Sequence, residues 1–209
     1  METYSALHEI PPNFLAGFCL SCAERGSGVF STLAGESDAE WFSYVLDSAW
    51  KAPLGEVEED ELLDILEEFE ARGESFAADD PGTKGFSILQ SAMLAANAIA
   101  VFMNPIPSRA EMSGQTLETI LGSFDFKLGG SRIAMIEAGE EEEVGRLQQL
   151  EQDAQKSFVA SVRRLNGDQM EAGLTREFLA DLRGSCAPIR DEIEMATASV
   201  AELAGWNEE

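Results

Sequence analysis

Helical periodicity runs through almost the whole chain and constrains the fold more than any other feature. Apolar residues of segment 57–72 recur at spacings of three and four, so they share one stripe of a helix: Leu62, Ile65, Leu66 and Phe69. Strand-type alternation of apolar and polar residues is hard to find. The sequence therefore predicts an all-α protein.

Prolines, glycines and capping residues divide the chain into about eight helical segments. The segments are 14–22, 38–52, 57–72, 85–103, 116–128 (or from 113), 143–165, 175–183 and 188–203. Gly26 and Gly28 are expected to end the first segment, and Pro188 to begin the last. Residues 74–84 are expected to form a loop, Asn166-Gly167 a turn, and residues 206–209 a frayed end. Because there is no internal repeat and no long linker, we expect an irregular helical bundle in one domain, 1–209.

Segment 85–103 is the most apolar part of the chain and leaves little polar face. Such a helix is either the centre of a core or a membrane span. Gln90, Asn97, five alanines and the lack of a basic flank favour the core. The bundle is therefore expected to form around this helix.

The chain has 39 acidic and 14 basic residues and a formal net charge of −25. A field of this sign repels nucleic-acid phosphates and anionic lipid headgroups, and it attracts cations. Binding to nucleic acid or to a membrane is therefore not expected, whereas a basic protein is a favoured partner. The alternative explanation is solubility in a salt-rich cytoplasm, since salt screens self-repulsion and lysine is scarce.

Two dense acidic patches and two aromatic residues are the candidates for contact with a partner. The acidic candidates are Glu58, Glu59, Glu61, Glu67 and Glu68 in the third segment, and Glu140, Glu141 and Glu142 after the fifth. Trp41 and Trp50 lie on the apolar stripe of the second segment and are expected inside. Phe42 and Tyr44 lie off that stripe, so we expect them at the interface, where aromatic side chains contribute much of the energy.

Three cysteines and one histidine are the thiol and imidazole ligands that the chain offers to zinc. Cys19 and Cys22 lie three apart and would face the same side of a helix; with Cys186 and His8 they form the minimum set for zinc. The alternative is that the cysteines pack as small apolar residues, and a redox motif would need a preceding strand. Three cysteines make no disulfide framework, and residues 1–12 do not resemble a leader, so a reducing cytoplasm is expected.

Carboxylate pairs offer the other route to a metal. Pairs three apart occur at 58/61, 61/64, 67/70, 137/140 and 140/143, but such pairs arise by chance in a chain this acidic. Di-iron sites need more histidine than His8 alone. Neither a nucleophile elbow nor a phosphate-binding loop is present. We therefore expect no cofactor and no catalytic residue of a familiar type.

A set of short motifs runs through the first half of the chain. The first apolar segment is followed by Glu24-Arg25, and after a loop the second segment carries Leu46-Asp47-Ser48-Ala49-Trp50. With the apolar segment from Phe86 and the sequence Ser-Gly-Gln-Thr-Leu-Glu at 113–118, this pattern resembles the bacterial YjaG-like family, which is all-helical and of unknown function. The resemblance implies a helical fold and no particular activity.

The polar residues of these motifs have an expected structural role. We expect Glu24 and Arg25 to form an ion pair, Asp47 to pair with Arg25, and the set with Trp50 to be architectural rather than ligand-binding.

Three functions follow as alternatives. The first is a non-enzymatic protein-protein interaction protein, similar in its role to an immunity protein, whose acidic surface binds a basic partner. The second is a metal-dependent helical enzyme that uses clustered carboxylates or the Cys19/Cys22 pair. The third is a homodimeric scaffold.

Overall fold

The computed structural model describes residues 2–76, 80, 82–129 and 144–207. Within these residues the chain forms nine α-helices and two short 3-10 helices, Pro12–Phe14 and Ala52–Leu54, and no strand. The α-helices are α1 (Glu2–Leu7), α2 (Leu15–Leu33), α3 (Glu36–Lys51), α4 (Glu59–Phe76), α5 (Lys84–Met103), α6 (Pro107–Leu128), α7 (Arg146–Arg163), α8 (Gly167–Ala172) and α9 (Arg176–Ala204). The predicted all-α fold is confirmed.

The centre of the bundle is α2, and not the segment 85–103 that its apolar sequence favours. All residues of α2 except Ser31 and Thr32 are buried, and α5, α6 and α9 pack around it. Helix α5 forms as expected, but it leaves Met93 and Phe102 partly exposed. The sequence hides the central position of α2 because this helix carries the charged residue Arg25, which is buried only by virtue of distant partners.

Gly26 and Gly28 do not end α2; they let other helices approach it. A Cβ on Gly28 would lie 2.8 Å from the backbone oxygen of Arg190 in α9. A Cβ on Gly26 would lie 2.5 Å from Cδ1 of Leu94 in α5. Glycine costs helix stability, but here it permits close packing on two sides, so the helix continues to Leu33.

Helix α9 is a single helix of 29 residues where two helices were expected. Thr175 caps it by accepting a hydrogen bond from the backbone N–H of Phe178, and Gly205, with a φ of 71°, ends it. Pro188 lies inside the helix, where it removes one backbone N–H donor. Burial of Leu182, Ile193 and neighbouring residues against the core offsets that loss.

Other boundaries also differ from the expectation. Helix α6 begins at Pro107 rather than near residue 113 or 116, because proline suits the first turn. Asn166 caps the short helix α8 through a capping box with Gln169. Trp206 is buried rather than frayed: the Lys84 ammonium donates a hydrogen bond to its backbone oxygen, and Lys127 lies over its ring.

Two aromatic contacts fix α7 and α9 against α2. Phe18 of α2 meets Phe158 of α7 edge-on at a centroid distance of 5.5 Å. Phe14, at the entrance to α2, meets Phe178 of α9 in the same manner at 5.6 Å. Such pairs contribute about 0.5–1.5 kcal/mol each beyond the burial of their area.

By length and mean hydropathy, one described helix, α5, could span a membrane. Half of its most apolar window is buried inside the fold. The core helix of a bundle meets the same criteria.

Candidate functional site

Helix α4 carries eight acidic residues and one basic residue, Arg72. Leu62 and Ile65 are buried and attach it to the core. Glu59 and Asp60 lie in its first turn, where carboxylates interact favourably with the positive end of the helix dipole. The exposed carboxylates of the helix, with Glu58 directly before it, are together called the acidic face: Glu58, Glu59, Asp60, Glu61, Asp64, Glu67, Glu68 and Glu70.

A large apolar side chain lies on the acidic face, next to the apolar stripe that attaches α4 to the core. Leu63 is 44% exposed. Residues three and four apart are neighbours on a helix, so Leu63 is flanked by Glu59, Asp60, Glu67 and the half-buried Leu66. It therefore adds an exposed apolar side chain to a surface of carboxylates.

Tyr44 of α3 borders the acidic face. Its side chain is 47% exposed, and its hydroxyl donates a hydrogen bond of 2.9 Å to the Glu61 carboxylate. This hydrogen bond, together with partial burial and the charge of Glu61, raises the pKa of Tyr44, because each disfavours the phenolate. The phenol therefore stays neutral and adds an aromatic edge to the carboxylates.

The predicted contact residues fall into three groups. Glu58, Glu59, Glu61, Glu67 and Glu68 lie on the acidic face, and Tyr44 borders it. Glu140, Glu141 and Glu142 lie outside the described residues. The prediction that Phe42 is exposed was wrong.

Phe42 is 3% exposed and stacks on Phe30 of α2 at a centroid distance of 4.3 Å. It precedes Val45 and Leu46 by three and four residues and therefore shares their buried side. Helix α3 packs against α2, α4 and α5, so its buried face is wider than the stripe of Trp41 and Trp50, which are buried as expected.

Arg25 forms a fully buried ion pair with Glu151 of α7, a partner that the sequence interpretation missed. Its Nε and Nη2 each donate a hydrogen bond of 2.6 Å to the two carboxylate oxygens. Gln155 donates a further hydrogen bond of 3.0 Å to Glu151. Burial alone would lower the pKa of Arg25, but the charge of Glu151 outweighs it and raises that pKa. Residues 151 and 155 follow Leu147 at spacings of four, which places them on the inward side of α7.

Glu24 pairs with α9 and α3, and not with Arg25. Its carboxylate accepts hydrogen bonds from Arg183 at 3.1 Å, Arg190 at 3.0 Å and the Trp50 indole at 2.8 Å. Glu24 and Arg25 therefore do not form the expected ion pair. The described partners of Glu24 lie on α9 and α3, whereas Arg25 binds Glu151 of α7. Adjacent residues on a helix point in directions about 100° apart, which separates them.

Asp47 likewise does not pair with Arg25. It binds Lys51 at 2.6 Å and Arg183 at 3.3 Å. Arg183 thus connects Asp47 with Glu24, and its guanidinium lies over the Trp50 ring. The set is a junction between α2, α3 and α9.

All three cysteines are buried, and two of them contact Arg25. Its guanidinium contacts the sulfurs of Cys22 at 3.6 Å and Cys186 at 3.8 Å. Burial raises the pKa of the Cys22 and Cys186 thiols, and it raises the pKa of Cys19 to about 12. The thiols are therefore protonated and weak as nucleophiles or metal ligands.

The minimum zinc set does not come together. His8 is largely exposed and binds Glu111 at 2.5 Å, whereas the cysteines are buried. Among the described residues, no group of three or more histidine, cysteine or carboxylate side chains is arranged to hold a metal. The carboxylate pairs at 58/61, 61/64 and 67/70 are all solvent-exposed, on α4 or, for Glu58, directly before it. The pairs at 137/140 and 140/143 lie outside the described residues.

The chain matches no protein-family model, no curated protein and no solved structure. The resemblance to the bacterial YjaG-like family therefore stays a prediction.

Proposed function

We propose that this is a non-enzymatic protein that binds a basic protein partner through the acidic face of α4. The observation that carries the proposal is the position of Leu63, which is exposed and has Glu59, Asp60 and Glu67 as three of its four neighbours on the helix. An apolar anchor inside a charged rim is the usual composition of a protein interface. Neutralisation of a basic toxin, as by an immunity protein, is one function of this type.

Charge supports the same proposal. Carboxylates along four turns of α4 would accelerate encounter with a basic surface and fix its orientation. The anchor contributes affinity once water is excluded. The two contributions differ in salt dependence, because salt screens exposed charges but not apolar burial.

The alternative of a metal-dependent enzyme has less support. The exposed carboxylates on α4 face solvent, where no other described helix supplies opposing ligands. The thiols of Cys22 and Cys186 beside Arg25 have raised pKa values. The alternative of a homodimeric scaffold also has less support, because Phe42, an aromatic residue expected at an interface, is buried in the core.

The test measures binding of a defined basic probe, a synthetic amphipathic helix with lysine on its flanks and a leucine stripe between them. Titration calorimetry would compare the wild type with E59Q/D60N/E67Q and with L63S. A matched control, E171Q/E194Q/E202Q, removes the same charge from exposed positions on α8 and α9.

We expect the acidic-face triple variant and L63S each to weaken binding about tenfold, and the control to weaken it less than twofold. Raising the salt concentration should weaken binding to the wild type more than to the triple variant. Equal effects of the two triple variants would show that only net charge matters and would contradict the proposal.

A further inference from the structure

A groove separates α7 and α9 on a part of the surface distinct from the acidic face. Its volume is about 620 Å3, which is within the usual range for small-molecule sites. The contacts of Phe18 with Phe158 and of Phe14 with Phe178 hold both walls against α2. The groove is therefore bounded by rigid helices on both sides.

The walls of the groove are mainly apolar. Their apolar members are Leu150, Phe158, Leu165, Phe178, Leu182 and Ile189. Hydroxyl groups interrupt this surface: Ser161 donates to the backbone oxygen of Phe158, and Ser185 to that of Leu182, both at 2.7 Å. Because these hydroxyl protons are used within the helices, the two serine oxygens are left to accept hydrogen bonds from a ligand.

Charge in the groove is negative. Arg25 is the one basic residue of the described lining, and its charge is already met by Glu151 at 2.6 Å. Asp153 of α7 and Asp181 of α9 lie on opposite walls. Asp153 has Lys156 as a neighbour at 3.1 Å, while Asp181 forms no ion pair with any described residue. A ligand carboxylate would meet two aspartates and an arginine that is already paired.

We propose that this groove binds a small organic cation with an apolar body, such as an alkyl or aryl ammonium compound. The apolar part packs between Phe158 and Phe178. The ammonium group lies toward Asp181, where carboxylate and serine oxygens accept its hydrogen bonds. The acidic field of the whole chain raises the local concentration of such a ligand.

The test compares three probes of equal length: octylammonium, 1-octanol and octanoate. The two ions are used below their micellar concentrations, and 1-octanol below its solubility limit. Titration calorimetry at moderate salt would measure affinity and stoichiometry with the full chain. One variant is D181N. The other is S157F: Ser157 lines the groove from an exposed position on α7, so a phenylalanine there would fill the groove. D168N on α8 is the matched charge control, and circular dichroism would confirm that each variant is folded.

We expect one octylammonium ion per chain, bound about tenfold more tightly than 1-octanol, with octanoate weakest. S157F should abolish this binding, D181N should weaken it about threefold, and D168N should leave it unchanged. Tighter binding of octanoate would identify Arg25 as the anchor and overturn the inference. Equal binding of octylammonium and 1-octanol, or unchanged binding to S157F, would also overturn it.

Discussion

Arg25 of α2 and Glu151 of α7 form an ion pair through two hydrogen bonds of 2.6 Å, and both side chains are at most 3% exposed. Removing two charges from water is costly, and only their mutual contact and further hydrogen bonds offset this cost. Gln155 supplies one such bond to Glu151. The pair fixes the position of α7 against the central helix.

The first prediction concerns this pair. R25M and E151L should each lower the free energy of unfolding by about 3–5 kcal/mol, because each leaves a buried charge without its partner. The double variant R25M/E151L should be more stable than either single variant, since it leaves no buried charge. Urea denaturation of the four proteins would measure the cycle. Additive losses in the double variant would show that the pair is not coupled.

The second prediction compares two buried tryptophans of α3. The indole N–H of Trp50 donates to Glu24 at 2.8 Å, whereas that of Trp41 has no acceptor among the described residues. Substitution by phenylalanine removes similar volume at each site. A guanidinium lies over each ring, Arg72 over Trp41 and Arg183 over Trp50, so the hydrogen bond is the main difference between the sites. W50F should be less stable than W41F by about 1–2 kcal/mol. Thermal and urea denaturation would measure this difference in stability. Equal losses of stability in the two variants would contradict a stabilising hydrogen bond between Trp50 and Glu24.

The third prediction concerns glycines inside helices. G28A should lower the free energy of unfolding by about 1–3 kcal/mol, because its Cβ would lie 2.8 Å from the Arg190 backbone oxygen and force α2 and α9 apart. Gly184 of α9 is the matched control, since its Cβ would meet nothing within 4 Å. G184A should raise stability by about 0.5–1 kcal/mol. The same sign for both substitutions would show that helix propensity alone governs them.

Local sequence patterns predict most of the helices but not their arrangement. Periodicity is a property of each segment, so α3, α4 and α5 are found within a few residues of their bounds. Pro188 and Gly28 resemble helix ends locally, yet tertiary packing carries α9 and α2 through them. The central position of α2 depends on partners far along the chain, which no local pattern contains.

The candidate site also divides into features that the local sequence predicts and features that depend on the fold. Carboxylates on the polar side of α4 were expected at the surface and lie there. Leu63 was missed, although the sequence shows that it lies outside the buried stripe of Leu62 and Ile65, about 100° around the helix from Leu62. The burial of Glu151 could also have been predicted, because this residue lies one turn after Leu147 on the inward side of α7. Its partner Arg25 lies 126 residues away, and that pairing follows only from the fold.

The fourth prediction is a pH dependence at Asp47. The hydrogen bond from Lys51 lowers the pKa of Asp47; partial burial opposes it, and Arg183 adds to the lowering. A carboxylate with a lowered pKa in the folded state stabilises the fold above its unfolded pKa, and this contribution is lost as the pH falls through the folded pKa. D47N should therefore lower the free energy of unfolding by less than about 1 kcal/mol at neutral pH, because the pairs are half-exposed.

The gap in free energy of unfolding between wild type and D47N should stay constant down to about pH 5 and close below about pH 4. Urea denaturation across this range would measure it, and high salt at neutral pH should narrow the same gap. A gap that widens toward acid pH would contradict the assignment of these ion pairs.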